Sequence, residues 1–153
     1  MFGIDEEVDP ALTANHLGDL IVSALGVRGD AQALARDRGV TAARQRAALD
    51  GIAKRAGDKE LDPACIAEAL GVSVRYLHRL LEPTGRSFSE HLLQSRLDRA
   101  AGMLRDPRCS HLQIATIASE AGFSNISHFN RAFRHAFGDT PNGVRVRARR
   151  AAM

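Results

Sequence analysis

A chain of 153 residues with 44% hydrophobic and 25% charged side chains suffices for one ordinary domain or two very small ones, and no apolar run reaches the roughly 18 residues that span a bilayer. The stretch Met1 to Asp9 is acidic where a secretory leader is basic and then apolar, and the two cysteines, Cys65 and Cys109, are isolated; a cytoplasmic location is expected from both, and the isolated thiols argue against a disulfide framework or a zinc site. Charge divides unevenly: 8 Lys or Arg face 12 Asp or Glu through Leu70, whereas 13 Arg and no Lys face 6 acids from Gly71 onward.

Arginine offers a planar fork of donors suited to phosphates and base edges. Codon usage rich in G and C also enriches arginine, so composition alone leaves a polyanion-binding face and an ordinary solvated surface both open.

Strand signals are nearly absent and helical periodicity runs almost throughout. Pro10 to Gly26 places Leu17, Leu20, Ile21, Ala24 and Leu25 on one helical face. A second helix is predicted from about Asp30 into the fifties, with an interruption near Gly39 and an end near Gly57-Asp58. Asp62-Pro63 then reads as an N-cap with proline at the first helical position, opening a short helix that closes at Gly71. Ser73 caps the next helix, which Pro83 and Gly85 end. Ser87 to Glu90 reads as a capping box for a long helix running to Asp106-Pro107. Ser110 to Gln113 reads as another, for a short helix stopping at Gly122. Ser124 or Asn125 opens the next helix, which ends at Gly138. Thr140-Pro141 starts a last one that decays into the arginine-rich terminus.

The phrase Ile66-Ala67…Gly71-Val72-Ser73 returns 51 residues later as Ile117-Ala118…Gly122-Phe123-Ser124. In each copy a short helix ends at glycine, a tight turn comes next, and a polar cap opens a second helix. Each copy is therefore a helix-turn-helix, with small Ala67 and Ala118 where two helices approach closely and glycines suited to a positive φ in the turn. The second helices turn Leu77, Leu80 and Leu81, or Phe129 and Phe133, inward and leave polar faces outward. A helix from Ser87 to Arg105 has 19 residues, hence a length of about 28 Å at about 1.5 Å per residue. Adjacent major grooves on one face of DNA lie about 34 Å apart, so two such units on one rod suit two grooves. Leu92, Leu93, Leu97, Ala100, Ala101 and Leu104 give that rod an apolar stripe for both.

From about Leu61 to Arg147 the chain resembles the DNA-binding domain of the AraC/XylS family of bacterial transcription regulators. The resemblance rests on "IAEALGVSVRYLHRLL", Gly85 to Phe88, "RLDRAAGML" and "IATIASEAGFSNISHFNRAFRHAFGDTP". It implies an all-α fold in which two homeodomain-like helix-turn-helix units are joined by a long linker helix, preceded in this chain by an N-terminal helical segment. The expected division is 1–58 for that segment and 59–150 for the double unit. The resemblance also implies recognition helices that enter successive major grooves of double-stranded DNA, with RNA polymerase as a further partner. The sequence departs from the family at Leu81, where phenylalanine is frequent, and at Val144, where an aromatic precedes arginine. Gly143 is expected to loosen the last helix by about 1 kcal/mol relative to alanine.

Candidate base contacts are Arg75, His78 and Arg79 on the first recognition helix and Ile126, Ser127, Asn130 and Arg131 on the second. Arginine reaches guanine O6 and N7, asparagine pairs with adenine, and Ile126 suits a thymine methyl. Candidate phosphate contacts are Ser73, Ser124 and Asn125 at helix N-termini, and Arg86. Tyr76 either stacks on the duplex rim or is half buried. Six histidines show no metal spacing, and no catalytic triad, carboxylate pair or phosphate loop is discernible, so neither cofactor nor catalysis is expected. Cys65 reads as core; Cys109 reads as exposed and is a redox candidate. The stripe from Leu17 to Leu25 is expected to support a homodimer, without membrane association. Two rival readings stand beside a transcription regulator: a truncated dimerising protein that antagonises full-length relatives, and a thiol-based sensor or methyl acceptor on the same fold.

Overall fold

A computed structural model of the chain describes residues 38–151. These contain no strand and seven α-helices: α1 (38–55), α2 (Pro63–Ala69), α3 (Val74–Leu81), α4 (Phe88–Arg105), α5 (Ile114–Glu120), α6 (Ile126–Phe137) and α7 (Pro141–Ala151). The apolar stripe expected from Leu17 to Leu25 lies outside the described residues.

The helix boundaries are set by local chemistry. Asp62 accepts from the Cys65 N–H with Pro63 at the first helical position. Ser73 accepts from the Tyr76 N–H at 3.1 Å and opens α3. The Ser87–Glu90 capping box closes both ways, Glu90 Oε2 accepting from the Ser87 N–H at 2.7 Å and Ser87 Oγ from the Glu90 N–H at 3.3 Å. Of the two residues that could open α6, Asn125 does so, its side chain accepting from the His128 N–H. The capping box expected at Ser110 to Gln113 does not form. Asp106 caps its own short turn, Pro107–Cys109, and Ser110 ends that turn by donating to the Pro107 carbonyl. The chain then reaches α5 with Gln113 as a cap lacking a side-chain bond. The predicted break near Gly39 is also absent, since residues 38–55 are continuously helical. At the other end α7 stays helical to Ala151.

The duplicated phrase builds duplicated backbone. After α2 the Val72 N–H reaches the Ala67 carbonyl at 2.9 Å and the Gly71 N–H the Glu68 carbonyl at 3.0 Å. After α5 the Phe123 N–H reaches Ala118 at 2.9 Å and the Gly122 N–H reaches Ser119 at 3.0 Å. Both are Schellman turns, which need a left-handed residue at the glycine. Gly71 has φ 63° and Gly122 φ 96°.

Two cores result, and α4 serves both. Its first half gives Phe88 and Leu92 to a cluster with Ile66 and Ala67 of α2 and Leu77 and Leu81 of α3. Its second half gives Leu97, Ala100, Ala101 and Leu104 to a cluster with Ile117, Ala118, Phe129 and Phe133. Burying each such leucine or phenylalanine contributes about 1.5–3 kcal/mol. Ala48 and Ile52 of α1, with Ala56 just beyond its end, complete the first core. The compact unit accordingly begins at Ala43, so residues 43–58 join the reading units rather than the N-terminal segment to which the 58/59 boundary assigned them.

At the departures from the family pattern, Val144 is buried in the second core and Leu81 in the first. Gly143 has a steric reason that helix propensity misses. A Cβ there would collide with the Asp139 carboxylate, which accepts from the Thr140 N–H and pairs with Arg147.

Candidate nucleic-acid interface

In α3 the inward leucines set which side chains face out. With Leu77, Leu80 and Leu81 at 0–2% exposure, the i, i+3, i+4 set Arg75, His78 and Arg79 stands on the exposed face. Tyr76 is half buried rather than free. Arg44 of α1 donates to its hydroxyl at 3.4 Å, with the guanidinium carbon 5.8 Å from the ring centre. Gln45 donates to the Leu80 carbonyl at 2.8 Å and anchors the same helix from behind. Neither α1 residue stands out in the sequence, because their partners lie 32 and 35 positions away.

In α6 an aromatic row does the equivalent work. Phe123, Phe129, Phe133 and Phe137 stack with successive centroid separations of 5.0, 5.4 and 4.6 Å. Burial of Phe129 and Phe133 turns Ile126, Ser127, Asn130 and Arg131 outward, all exposed. Asn130 borders a small groove with Arg134 and the start of α7. Arg131 borders a different groove, shared with α4.

Arg86 stands between the two recognition helices. It lines one groove of about 310 Å³ with His78 of α3 and a second of about 540 Å³ with His128 and Arg131 of α6. His78, Arg86 and Arg131 thus border one run of surface. The larger groove also carries Glu90, Gln94 and His135, which sequence reasoning passed over. The signal was present for the histidines, since His128, Arg131 and His135 share one helical face. Glu90 is the acid that lines the larger groove, and hydrogen bonds from Ser87 hold its carboxyl below the usual range. At the neighbouring His91, burial first and then Arg86 push the imidazole below its ordinary value. This histidine hydrogen-bonds Thr84 Oγ1 at 2.8 Å.

Ser73 and Asn125 spend a side-chain oxygen on capping. The serine hydroxyl hydrogen and the asparagine amide hydrogens are still available to a phosphate. Ser124 and Arg86 are exposed. Cys65 and Cys109 are both partly buried, so Cys109 is less open than the sequence suggested. Among the described residues no group of three or more His, Cys, Asp or Glu could hold a metal ion, and no helix is long and apolar enough to cross a membrane.

Comparison with known proteins gives consistent matches. A family model described as "Helix-turn-helix domain" matches residues 66–147. The chain is 36% identical over 84 residues to the transcriptional activator NphR of Rhodococcus, covering 55% of this chain and 24% of that one. Among solved structures, the C-terminal domain of the response regulator AraT from Geobacillus stearothermophilus matches 67% of this chain and 83% of its own, with TM-score 0.58 and 33% identity. An AraC-type DNA-binding regulator from Chromobacterium violaceum matches 69% of this chain and 91% of its own, with TM-score 0.60 and 31% identity. The match spans about a quarter of the length of the curated relatives, 24% and 28% for two of them. A dimerising antagonist finds no support in these matches.

Proposed function

The chain belongs to the AraC/XylS type of helix-turn-helix family, a family of DNA-binding transcription regulators and not of enzymes, and from that premise we propose how it reads its duplex. α3 and α6 enter successive major grooves. Arg75, His78 and Arg79 meet base edges in one, and Ile126, Ser127, Asn130 and Arg131 in the other. Ser73, Ser124 and Asn125 hold phosphates, and Arg86 holds the backbone between the two grooves. The observation that carries this reading is the position of Arg86, which borders a groove with each recognition helix.

The linker helix fits the task. α4 has 18 residues, about 27 Å at about 1.5 Å per residue, and each half belongs to a different core. Two rigid units on that rod match grooves about 34 Å apart once the width of the units is added. The arginine-rich half supplies the charge. The proposal further places the protein in the bacterial cytoplasm, with RNA polymerase as a partner and self-association through Leu17, Leu20, Ile21 and Leu25, which rests on helical spacing in the sequence.

Fluorescence anisotropy on duplexes selected from a random pool tests the reading. Neutralising about six phosphates gives a log–log salt slope of about −5. Arg79→Ala weakens binding by about 1–3 kcal/mol and relaxes preference at one end of the footprint only. A slope near zero, or equal loss at both ends, refutes it.

A further inference from the structure

The two reading units are joined by more than α4. The end of α1 passes between the middle of α4 and the turn of the second unit, and two arginines of α4 grip the backbone on either side. Arg96 donates from Nε to the Ala56 carbonyl at 3.0 Å and from Nη2 to the Asp58 and Lys59 carbonyls at 2.8 and 3.4 Å. Arg99, three positions on, donates from Nε to the Glu120 carbonyl at 3.1 Å, at the end of α5. Lys59 adds a bond to Ser119 at 2.8 Å. Each backbone segment offers a glycine at the crossing. A Cβ on Gly57 would lie 3.0 Å from the Glu120 carbonyl. One on Gly122 would collide with the Ala56 carbonyl and lie 2.7 Å from Arg96 Nε. No smaller residue exists, so the two segments sit as close as backbones permit.

The other end of α1 holds the first recognition helix, through Arg44 on Tyr76 and Gln45 on the Leu80 carbonyl. One rod therefore touches α3 at one end and the α5 turn, which carries α6, at the other. Arg96 is partly buried, and burial pushes its guanidinium below the ordinary arginine range, with Asp58 opposing. Its Nε goes to the Ala56 carbonyl at the end of α1, where a cation is favoured, and its Nη2 to the turn just beyond.

We propose that Arg96 and Arg99, closing the end of α1 against the α5 turn, are positioning residues that fix the separation and rotation of the two recognition helices and so set the spacing of the DNA site. This deepens the proposed function and rests on it. One base pair inserted between half-sites rotates them by about 35° and moves them about 3.4 Å apart. A rigid reader rejects such a change; a reader hinged at α4 tolerates it.

The test takes a site selected by the wild-type chain from a random duplex pool, with one or two base pairs inserted or deleted between its halves. The wild type should lose tenfold or more for each step. Arg96→Ala combined with Arg99→Ala should bind the original spacing more weakly yet vary less than about threefold across the series. Arg96→Lys, which reaches one carbonyl but not three, should lie between. An unchanged steep profile overturns the proposal, and so does a uniform loss at every spacing, which marks a merely structural role. A readout without DNA separates failure of this proposal from failure of the DNA reading. Spin labels at positions 74 and 134, on α3 and α6, in a Cys65→Ser, Cys109→Ser background should give a narrow distance distribution that broadens in the double alanine variant. An equally narrow distribution in that variant overturns the proposal whatever the chain does with DNA.

Discussion

Alanine at Gly122 should cost far more stability than alanine at Gly71, although the two glycines occupy the same place in the repeat. Both have positive φ, 96° and 63°, and forcing alanine into the left-handed region costs about 1–2 kcal/mol. At Gly71 that is the whole cost, because nothing lies within 4 Å of the added Cβ. At Gly122 the Cβ meets the Ala56 carbonyl and Arg96 Nε. The carbonyl is backbone and cannot rotate away, so the end of α1 must lift and Arg96 must release it. A hydrogen bond from a charged donor is worth about 1.5–3 kcal/mol, and only one such bond is at stake because water reaches part of the arginine. The expected losses are therefore about 1–2 kcal/mol for Gly71→Ala and about 2.5–5 kcal/mol for Gly122→Ala. Urea unfolding with unchanged m-values measures both. Repeating the pair in an Arg96→Ala background should shrink the difference, since the partner is already gone. Costs within about 0.5 kcal/mol of one another in the parent chain would refute the reasoning, as would a difference left undiminished by removal of Arg96.

The cores and caps yield two further expected outcomes. Phe129→Ala, at 0% exposure and edge-on to Phe123 at 5.0 Å, should cost about 3–5 kcal/mol in thermal or urea unfolding; a loss below about 1 kcal/mol would mean the aromatic row does not hold the second unit. Glu90 has its folded pKa depressed below the ordinary glutamate value by hydrogen bonds from Ser87. Such a group stabilises above its unfolded pKa and loses that contribution as pH falls through the folded value. Stability measured by urea unfolding from pH 7 down to below pH 4 should therefore fall less steeply in Glu90→Gln than in the parent; an identical acid limb removes the capping box as its source, leaving Asp62 and Asp106, which hydrogen bonds depress in the same direction.

Most helix boundaries were legible because they depend on a few adjacent residues. Asp62, Ser73 and the Ser87–Glu90 pair cap the helices that they open, and Gly71, Gly122 and Gly138 terminate the helices on their N-terminal side. The repeat, the inward leucines and phenylalanines and the outward candidates have the same local origin, since helical period alone decides which side chains share a face. Even so, local signals compete. Ser110 met the pattern of a cap and lost to Asp106, whose own turn used the intervening residues first.

What only the tertiary structure decided is which distant groups those faces meet. Nothing in the amphipathic run of α1 says that Ala48, Ile52 and Ala56 complete the core of the first reading unit. Nothing in the linker sequence says that Arg96 turns inward to a carbonyl 40 positions earlier rather than outward to a phosphate. Gly143 reads as a weak helix residue in the sequence, whereas in the fold the Asp139 carboxylate lies against it. Where the partner is distant, the sequence determines a face or a charge, whereas the partner is set by how helices pack across tens of residues, and closing those loops costs conformational entropy that the packed cores offset.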